Sequence, residues 1–260
     1  MSKLKVTAVS YLNTKPFLYG IFNTGLDQEI DLQLDIPSVC ADKLKSGEAD
    51  LGLVPVAIIP QLSTPHIISD YCIGTIGEVK TVCIYSQVPM NEITHLYLDY
   101  HSRTSNALSR ILLKEYWKCD PEIILTQRES PTEIKATKAA VVIGDKTIGL
   151  DKEYPFIYDL GTAWMDHTGL PFVFAAWVSN RPLKADFIEK LNTALAAGMD
   201  HISQLVYLLP SPDSSFDLQT YFTKYISYDL DVAKKKALAL FLKKISDKIQ
   251  PTLATSLSHV

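Results

Sequence analysis

The stretch Ile30-Asp31-Leu32-Gln33-Leu34-Asp35-Ile36-Pro37-Ser38 decides the fold. Apolar and polar residues alternate from Ile30 to Ile36, the period of a strand with one face on a core. Pro37-Ser38 then opens a helix, because the fixed φ of proline suits a first turn, where its missing N–H is not needed. That helix runs through Leu44, and Gly47 terminates it. Ala49 to Val56 follows as another strand and ends in a proline-bearing loop, Val54-Pro55-Val56. Upstream, Leu4 to Val9 is a strand that ends at Ser10-Tyr11-Leu12-Asn13-Thr14-Lys15-Pro16, and Phe17 to Phe22 is a helix closed by Gly25. Strand, helix, strand, helix, strand in about fifty residues predicts a parallel βαβ sheet. Ligands of such sheets sit beyond the carboxyl ends of the strands. Asn13, Ser38 and Pro55 fall there.

Downstream, Ile67–Cys72, Gly77–Ser86 and Ile93–Leu98 read as strands. A second α/β set follows: a helix over Ala107–Tyr116, a strand Glu122–Leu125, a helix near Pro131–Lys138, and a strand Ala139–Ile143 ending at Gly144-Asp145. Phe156–Leu160 is a short strand, and Phe172–Val178 is an apolar run suited to a buried strand returning to the first unit. After Pro182 the pattern is helical, over Phe187–Met199, His201–Leu208, Phe216–Ile226 and Val232–Ile245. In the last of these, Ala233, Ala237, Leu240, Phe241 and Ile245 share one face, and Lys234-Lys235-Lys236 reads as solvated. The expected fold class is α/β and two-lobed, each lobe a mixed sheet flanked by helices. Residues 1–88 with 178–260 form one lobe, and 89–177 form an inserted second lobe. Crossings near Gln87-Val88-Pro89 and Trp177–Pro182 would form a hinge, and a cleft between lobes is a favoured small-ligand site.

Composition narrows the function. The 260 residues are 47% hydrophobic and 21% charged, with a net charge of −4. No basic footprint for nucleic acid is present. Met1 to Val6 moves straight into a strand pattern, without the apolar core of a signal peptide, and no run approaches the roughly 20 apolar residues of a membrane span. Cys40, Cys72, Cys83 and Cys119 lack paired metal spacing and read as reduced thiols. A cytoplasmic protein without metal or membrane association is expected; a homodimer is left open.

The densest polar stretch is Asp99-Tyr100-His101-Ser102-Arg103-Thr104-Ser105-Asn106, between an apolar run and a helical pattern. The first N–H groups of a helix have no internal partner, and the macrodipole makes that end positive. Hydroxyls and a guanidinium there suit a carboxylate or phosphate. Capping explains one or two of these residues but not all of them. Asn13 has Ser10, Tyr11 and Thr14 as neighbours, and its amide can hold a hydroxyl or a water through donor and acceptor together. Ser86, at a strand end near the hinge, is a similar candidate. Asp145 is either a ligand-facing acid or a helix cap. His101 and His167 lie in loops and are weaker candidates for a general base. There is no glycine-rich nucleotide loop, so no cofactor is expected. The polar set contains no evident nucleophile–base pair, which argues against a hydrolase.

Several motifs together resemble one family. Val9-Ser10-Tyr11-Leu12-Asn13-Thr14-Lys15-Pro16, Leu98-Asp99 through Ser102-Arg103-Thr104-Ser105, Ile143-Gly144-Asp145, and Tyr158-Asp159-Leu160-Gly161 through Trp164 to Thr168-Gly169-Leu170-Pro171-Phe172-Val173-Phe174-Ala175 are similar to the chorismate dehydratases, which open the futalosine route to menaquinone. Pro37-Ser38, Ala41, Leu44, Gly47, Asp50 and Leu53-Val54-Pro55-Val56 also match. The resemblance implies the two-lobed fold of the periplasmic binding proteins and an enzyme, a carbon–oxygen lyase, that removes water from chorismate to give 3-[(1-carboxyvinyl)oxy]benzoate. The sister 1,4-dihydroxy-6-naphthoate synthase typically begins with a Ser-Pro-Cys-Pro-Asn-Asp type segment, where this chain has Ser10 to Pro16. On this reading Asn13 and Ser86 are catalytic. Ser10, Tyr11, Ser38, Ser102, Arg103, Thr104, Ser105, Asn106, Gly144 and Asp145 bind substrate. A non-catalytic binding protein for a small carboxylate is the other class kept open.

Overall fold

β1 (Leu4–Val9) runs parallel to both β2 (Ile30–Asp35) and β3 (Leu51–Pro55) in the computed structural model, which describes residues 3–126 and 134–254. The crossovers are α1 (Lys15–Asn23) and α2 (Pro37–Ser46), as the spacing predicts. Gly47 caps α2 at φ 78°, a conformation that glycine enters without a steric penalty. β2 is an edge strand, so Asp31 and Gln33 reach solvent while Ile30 is buried. β3 lies between two neighbours and is buried at every residue.

β4 (His66–Thr75) completes the first stretch, and the chain then builds a second sheet from β5 (Val82–Ser86), β6 (His95–Leu98), β7 (Glu122–Leu125), β8 (Lys138–Ile143) and β9 (Phe156–Asp159). α3 (Arg103–Leu112) follows β6, and α4 (Leu160–Thr168) follows β9. β10 (Phe172–Ser179) returns to the first sheet. α5 (Ala185–Asp200), α6 (Ile202–Leu208), α7 (Leu218–Thr220), β11 (Ser227–Asp229) and α8 (Val232–Ala254) finish the described chain. The sheet orders are β11-β4-β10-β3-β1-β2 and β7-β6-β8-β5-β9. Both sheets are mixed: β10 is antiparallel to β3 and β4, and β5 is antiparallel to β8 and β9.

Strand pairing moves the crossings away from the expected positions. β5, assigned from sequence to the first lobe, pairs only within the second sheet. β10 returns to the first sheet as its apolar run suggests, although the expected lobe boundary at 177/178 leaves most of it on the wrong side. The chain therefore passes between sheets in residues 75–82 and 159–172, rather than at 87–89 and 177–182. A β-prone run names a strand but not its partners. Three helical expectations also change. The helix expected over Ala107–Tyr116 starts at Arg103, and after Leu112 it loosens into a π-helical turn, Leu113–Trp117. Phe216–Ile226 contains only α7 and a second π-helical turn, Tyr221–Tyr225. α4 had no counterpart in the expectation; the Asp159 carboxylate caps it by accepting from the Thr162 N–H at 2.9 Å. Of the helix expected near Pro131–Lys138, residues 131–133 lie outside the described residues; residues 134–137 form no helix but a turn, and Lys138 opens β8.

The core joins these parts through aromatic rings. Trp164 on α4 packs edge-on to Phe172 of β10 at 5.2 Å, and Phe172 packs on Phe241 of α8 at 5.1 Å. The Trp164 indole N–H donates to the Pro171 carbonyl at 3.0 Å, so its one polar atom is satisfied in the core. α1 and α5 cross at Gly20 and Gly198: a Cβ on Gly20 would stand 1.9 Å from the Ala194 carbonyl oxygen, and one on Gly198 would stand 2.0 Å from that of Pro16. This close approach fixes α1, which begins at Lys15, two residues after Asn13. Lys234 corrects the reading of the last helix. It is fully buried, its Nζ donating to Ser227 Oγ (2.6 Å) and the Asp229 carbonyl (2.5 Å), while Ala233 is exposed. Residues 234, 237, 238, 241 and 245 form the buried stripe, and the lysine stem lies along Gly74. Among the described residues no helix is long and apolar enough to cross a membrane.

Candidate functional site

The carboxyl ends of the parallel strands converge on a pocket between the two sheets, with a free volume of about 570 Å³ that includes solvent at its mouth. From the first sheet come Tyr11 and Asn13 after β1, Pro37 at the start of α2, and Pro55 at the end of β3. From the second come Thr81 and Val82 at the start of β5, Gly144 after β8, and Ser102, Thr104 and Ser105 around the first turn of α3. The lining has hydroxyls, an amide and apolar walls, but no Asp, Glu, His, Lys or Arg among the described residues. It can orient an anion by hydrogen bonds and a helix N-terminus, and it supplies no carboxylate or imidazole. A larger opening of about 1110 Å³ lies beyond Tyr221, where Glu78, Asp151, Asp159 and Asp217 face one cation, Lys80. That balance repels an anion, so the interlobe pocket is the better site for a carboxylate ligand.

Contacts between the elements of the two sheets tie the walls of the pocket together. The Asp145 carboxylate accepts from the Leu12 N–H at 3.1 and 3.2 Å. Ser38 Oγ lies 3.0 Å from His101 Nδ1, and the Ala57 N–H donates to Thr104 Oγ1 at 3.2 Å. Arg103 reaches Asp42 on α2 at 2.5 Å. The Tyr11 ring lies against Gly144, whose φ is +65° and whose absent Cβ would stand 2.9 Å from that ring. A side chain at 144 would be strained twice over, by its backbone angle and by the ring.

Each residue expected at the site can now be placed. Tyr11, Asn13, Ser102, Thr104, Ser105 and Gly144 line the pocket together. Ser38 sits beside it, buried, on His101; the Ser–His pair that sequence reading did not find is therefore present, although neither residue is in the lining. Asp145 neither lines the pocket nor caps the turn that follows, whose N-cap is Ile143; its carboxylate accepts from the Leu12 N–H instead. Arg103 points to Asp42 rather than inward. The Asn106 Nδ2 donates to the Asp99 carbonyl at 2.7 Å, which braces the loop before α3. Ser10 is exposed, with its N–H on the Asp35 carbonyl. His167 stands apart, 3.3 Å from Glu115. The Ser102 side chain makes no capping bond, so the first-turn N–H groups of α3 keep no side-chain partner from that residue.

Ser86 is the clear correction. It is fully buried and its hydroxyl accepts from the Val88 N–H at 3.1 Å. β5 runs antiparallel to β8, so its beginning, not its end, faces the pocket. Four residues of strand separate Val82 from Ser86, about 13 Å at the usual rise. The hydroxyl at the pocket is Thr81, which sequence reading missed. Its Oγ1 is 3.0 Å from the Tyr221 hydroxyl. Tyr221 is fully buried, which pushes its pKa up, and hydrogen bonds with Thr81 and Asn13 pull against that rise. Tyr228, also buried, donates from its hydroxyl to the Asn13 carbonyl at 3.0 Å. Burial pushes the Cys40 thiol up to about 11 and the Cys72 thiol up to about 12, so neither is a nucleophile at neutral pH.

The chain is similar to known proteins along most of its length. The profile of a family described as menaquinone biosynthesis matches residues 4–247. A chorismate dehydratase of Thermus thermophilus is 28% identical over 192 residues, which cover 65% of this chain and 69% of that protein. Among solved structures, protein AF1704 of Archaeoglobus fulgidus superposes with a TM-score of 0.69 at 15% identity, covering 95% of this chain and 97% of the other. The CA3427 gene product of Candida albicans, described as having the generic periplasmic binding protein fold, superposes with a TM-score of 0.60 at 12% identity, covering 100% and 92%. At these identities the structural likeness shows the fold, and the fold is that of the periplasmic binding proteins.

Proposed function

We propose, on the premise that this chain belongs to the menaquinone biosynthesis family, that it is a hydro-lyase that dehydrates chorismate to 3-[(1-carboxyvinyl)oxy]benzoate. The observation that carries this reading is the pocket itself: an uncharged, hydrogen-bonding lining with Asn13 and Thr81 on one side and the first turn of α3 on another. In the reaction the proton on the ring carbon bearing the enolpyruvyl ether passes to an acceptor. The electron pair of that C–H bond becomes the new ring π bond, and the neighbouring C–O bond breaks. The departing hydroxyl takes up one proton, equal to the one the ring gave, and is released as water. Aromatisation drives the step, so the protein's task is orientation and charge placement. Ser102, Thr104 and Ser105, with the positive end of α3, would hold one substrate carboxylate. Asn13 and Thr81 would hold the departing hydroxyl through neutral donors. A lining without ionisable carboxylate or imidazole supports a proton acceptor brought in by the substrate, its own carboxylate, over one supplied by the chain.

The test is incubation of the purified protein with chorismate alone, following loss of the diene absorbance and appearance of the benzoate product. Folded protein that binds chorismate and returns it unchanged would make this a binding protein, the role its fold serves elsewhere. Turnover of a cyclic futalosine-derived substrate instead would assign it to the sister reaction.

A further inference from the structure

We propose that Tyr221 is a positioning residue that orients the two groups facing the departing hydroxyl, Thr81 and Asn13; the inference rests on the dehydratase reading above. Tyr221 lies in the π-helical turn after α7, far along the chain from both groups, and its ring is fully buried. Its hydroxyl is 3.0 Å from Thr81 Oγ1, and the Asn13 side chain approaches the same oxygen closely enough to pull the phenol's pKa down. A phenol has one proton to give. When Tyr221 gives it to Thr81 Oγ1, the threonine's own proton is released to point into the pocket, and the phenol oxygen accepts from the Asn13 amide.

Both partners need such a constraint. A threonine hydroxyl can otherwise turn to its own backbone, and the Val79 carbonyl lies 3.5 Å from Thr81 Oγ1. Asn13 is half-buried in a short loop, and its side-chain oxygen has a competing partner in the Thr14 hydroxyl at 3.4 Å. Tyr228 fixes the backbone of the same residue through the Asn13 carbonyl, so two tyrosines from the segment 221–228 hold the loop and its side chain separately. Tyr221 touches no substrate. Its effect passes through the rotamers of Thr81 and Asn13.

The experiment is Tyr221→Phe, which keeps the ring and removes only the hydroxyl. Steady-state kinetics with chorismate are measured alongside the melting temperature and the three-bond couplings of the Thr81 γ-methyl, which report its χ1 rotamer by NMR. The expected result is a kcat reduced tenfold or more with KM within twofold, a melting temperature within a few degrees of wild type, and Thr81 couplings that move from a single rotamer to an average. Tyr225→Phe, in the same turn, retains wild-type kcat. Unchanged Thr81 couplings, or a kcat within twofold of wild type, overturn the proposal. So does a kcat loss that merely follows a collapse in melting temperature with KM rising in step, the mark of a structural role. A wild-type protein without turnover removes the dehydratase reading, and the Thr81 couplings then decide the positioning role alone.

Discussion

Thr81 and Ser86 are two buried hydroxyls at opposite ends of one strand, and they have opposite surroundings. Thr81 stands at the entry to β5, in the pocket lining, beside Tyr221. Ser86 stands at the exit, and its oxygen serves the N–H of Val88 in a turn. Residue type, burial and strand propensity do not distinguish them. Direction does: β6 and β8 run parallel and end at the pocket, while β5 runs against β8 and begins there. The lesson for sites of this architecture is that a polar residue at a strand end is informative only once the strand's direction is known.

The comparison can be broken most decisively at the residue facing Thr81. Asn13→Ala should lower kcat on chorismate by about 10²–10³, the usual cost of deleting a donor aimed at developing charge, with the circular dichroism spectrum unchanged. Thr81→Val keeps the volume and removes the hydroxyl; kcat should fall by about 10², at the lower end of that range, and a wild-type rate would return the pocket hydroxyl to another residue. Ser86→Ala should leave kcat within about twofold and cost about 1–2 kcal/mol in denaturant unfolding, since it strands the Val88 N–H. A large catalytic defect with intact stability there would overturn the assignment of the two strand ends. The smallest effect belongs to Arg103→Ala. Its ion pair with Asp42 is partly exposed, so about 0.2–1 kcal/mol is expected, and a KM raised beyond about tenfold would show that the guanidinium swings inward to the substrate.

Much of this was legible in the sequence. Alternation at Ile30–Ile36, Pro37 and Gly47 are local signals, and local structure obeyed them. The position of Asn13 and of the α3 turn followed from parallel βαβ order, which places carboxyl ends together. What could not be read depends on partners distant in sequence. No local pattern says that β5 joins β8 and β9, that Arg103 faces Asp42 rather than the pocket, or that Ser38 meets His101 across 63 positions. Lys234 was misread because a lysine triplet looks solvated, yet the helical period buries one member and the Asp229 carbonyl and Ser227 receive its ammonium. Thr81 was missed because a threonine before a β-prone run is ordinary; only the arrival of Tyr221 on it, 140 residues later, marks it out.

The strand orders also carry a consequence for how the chain acquires its shape during synthesis. The second sheet is drawn from one unbroken stretch, residues 82–159, and every strand it needs has been made by the time Asp159 emerges. The first sheet begins earlier but stays incomplete, since β10 must insert between β3 and β4, and β11 must cover the far edge of β4. Domains generally fold as units, N-terminal parts first, at about 5–20 residues per second. Here the interior segment is ready first, while β3 and β4 wait with open edges for some 100 residues of translation, on the order of ten seconds at that pace. The loop bearing Asn13 is among the first parts translated and among the last to be held, because Tyr221 and Tyr228 arrive only near the end.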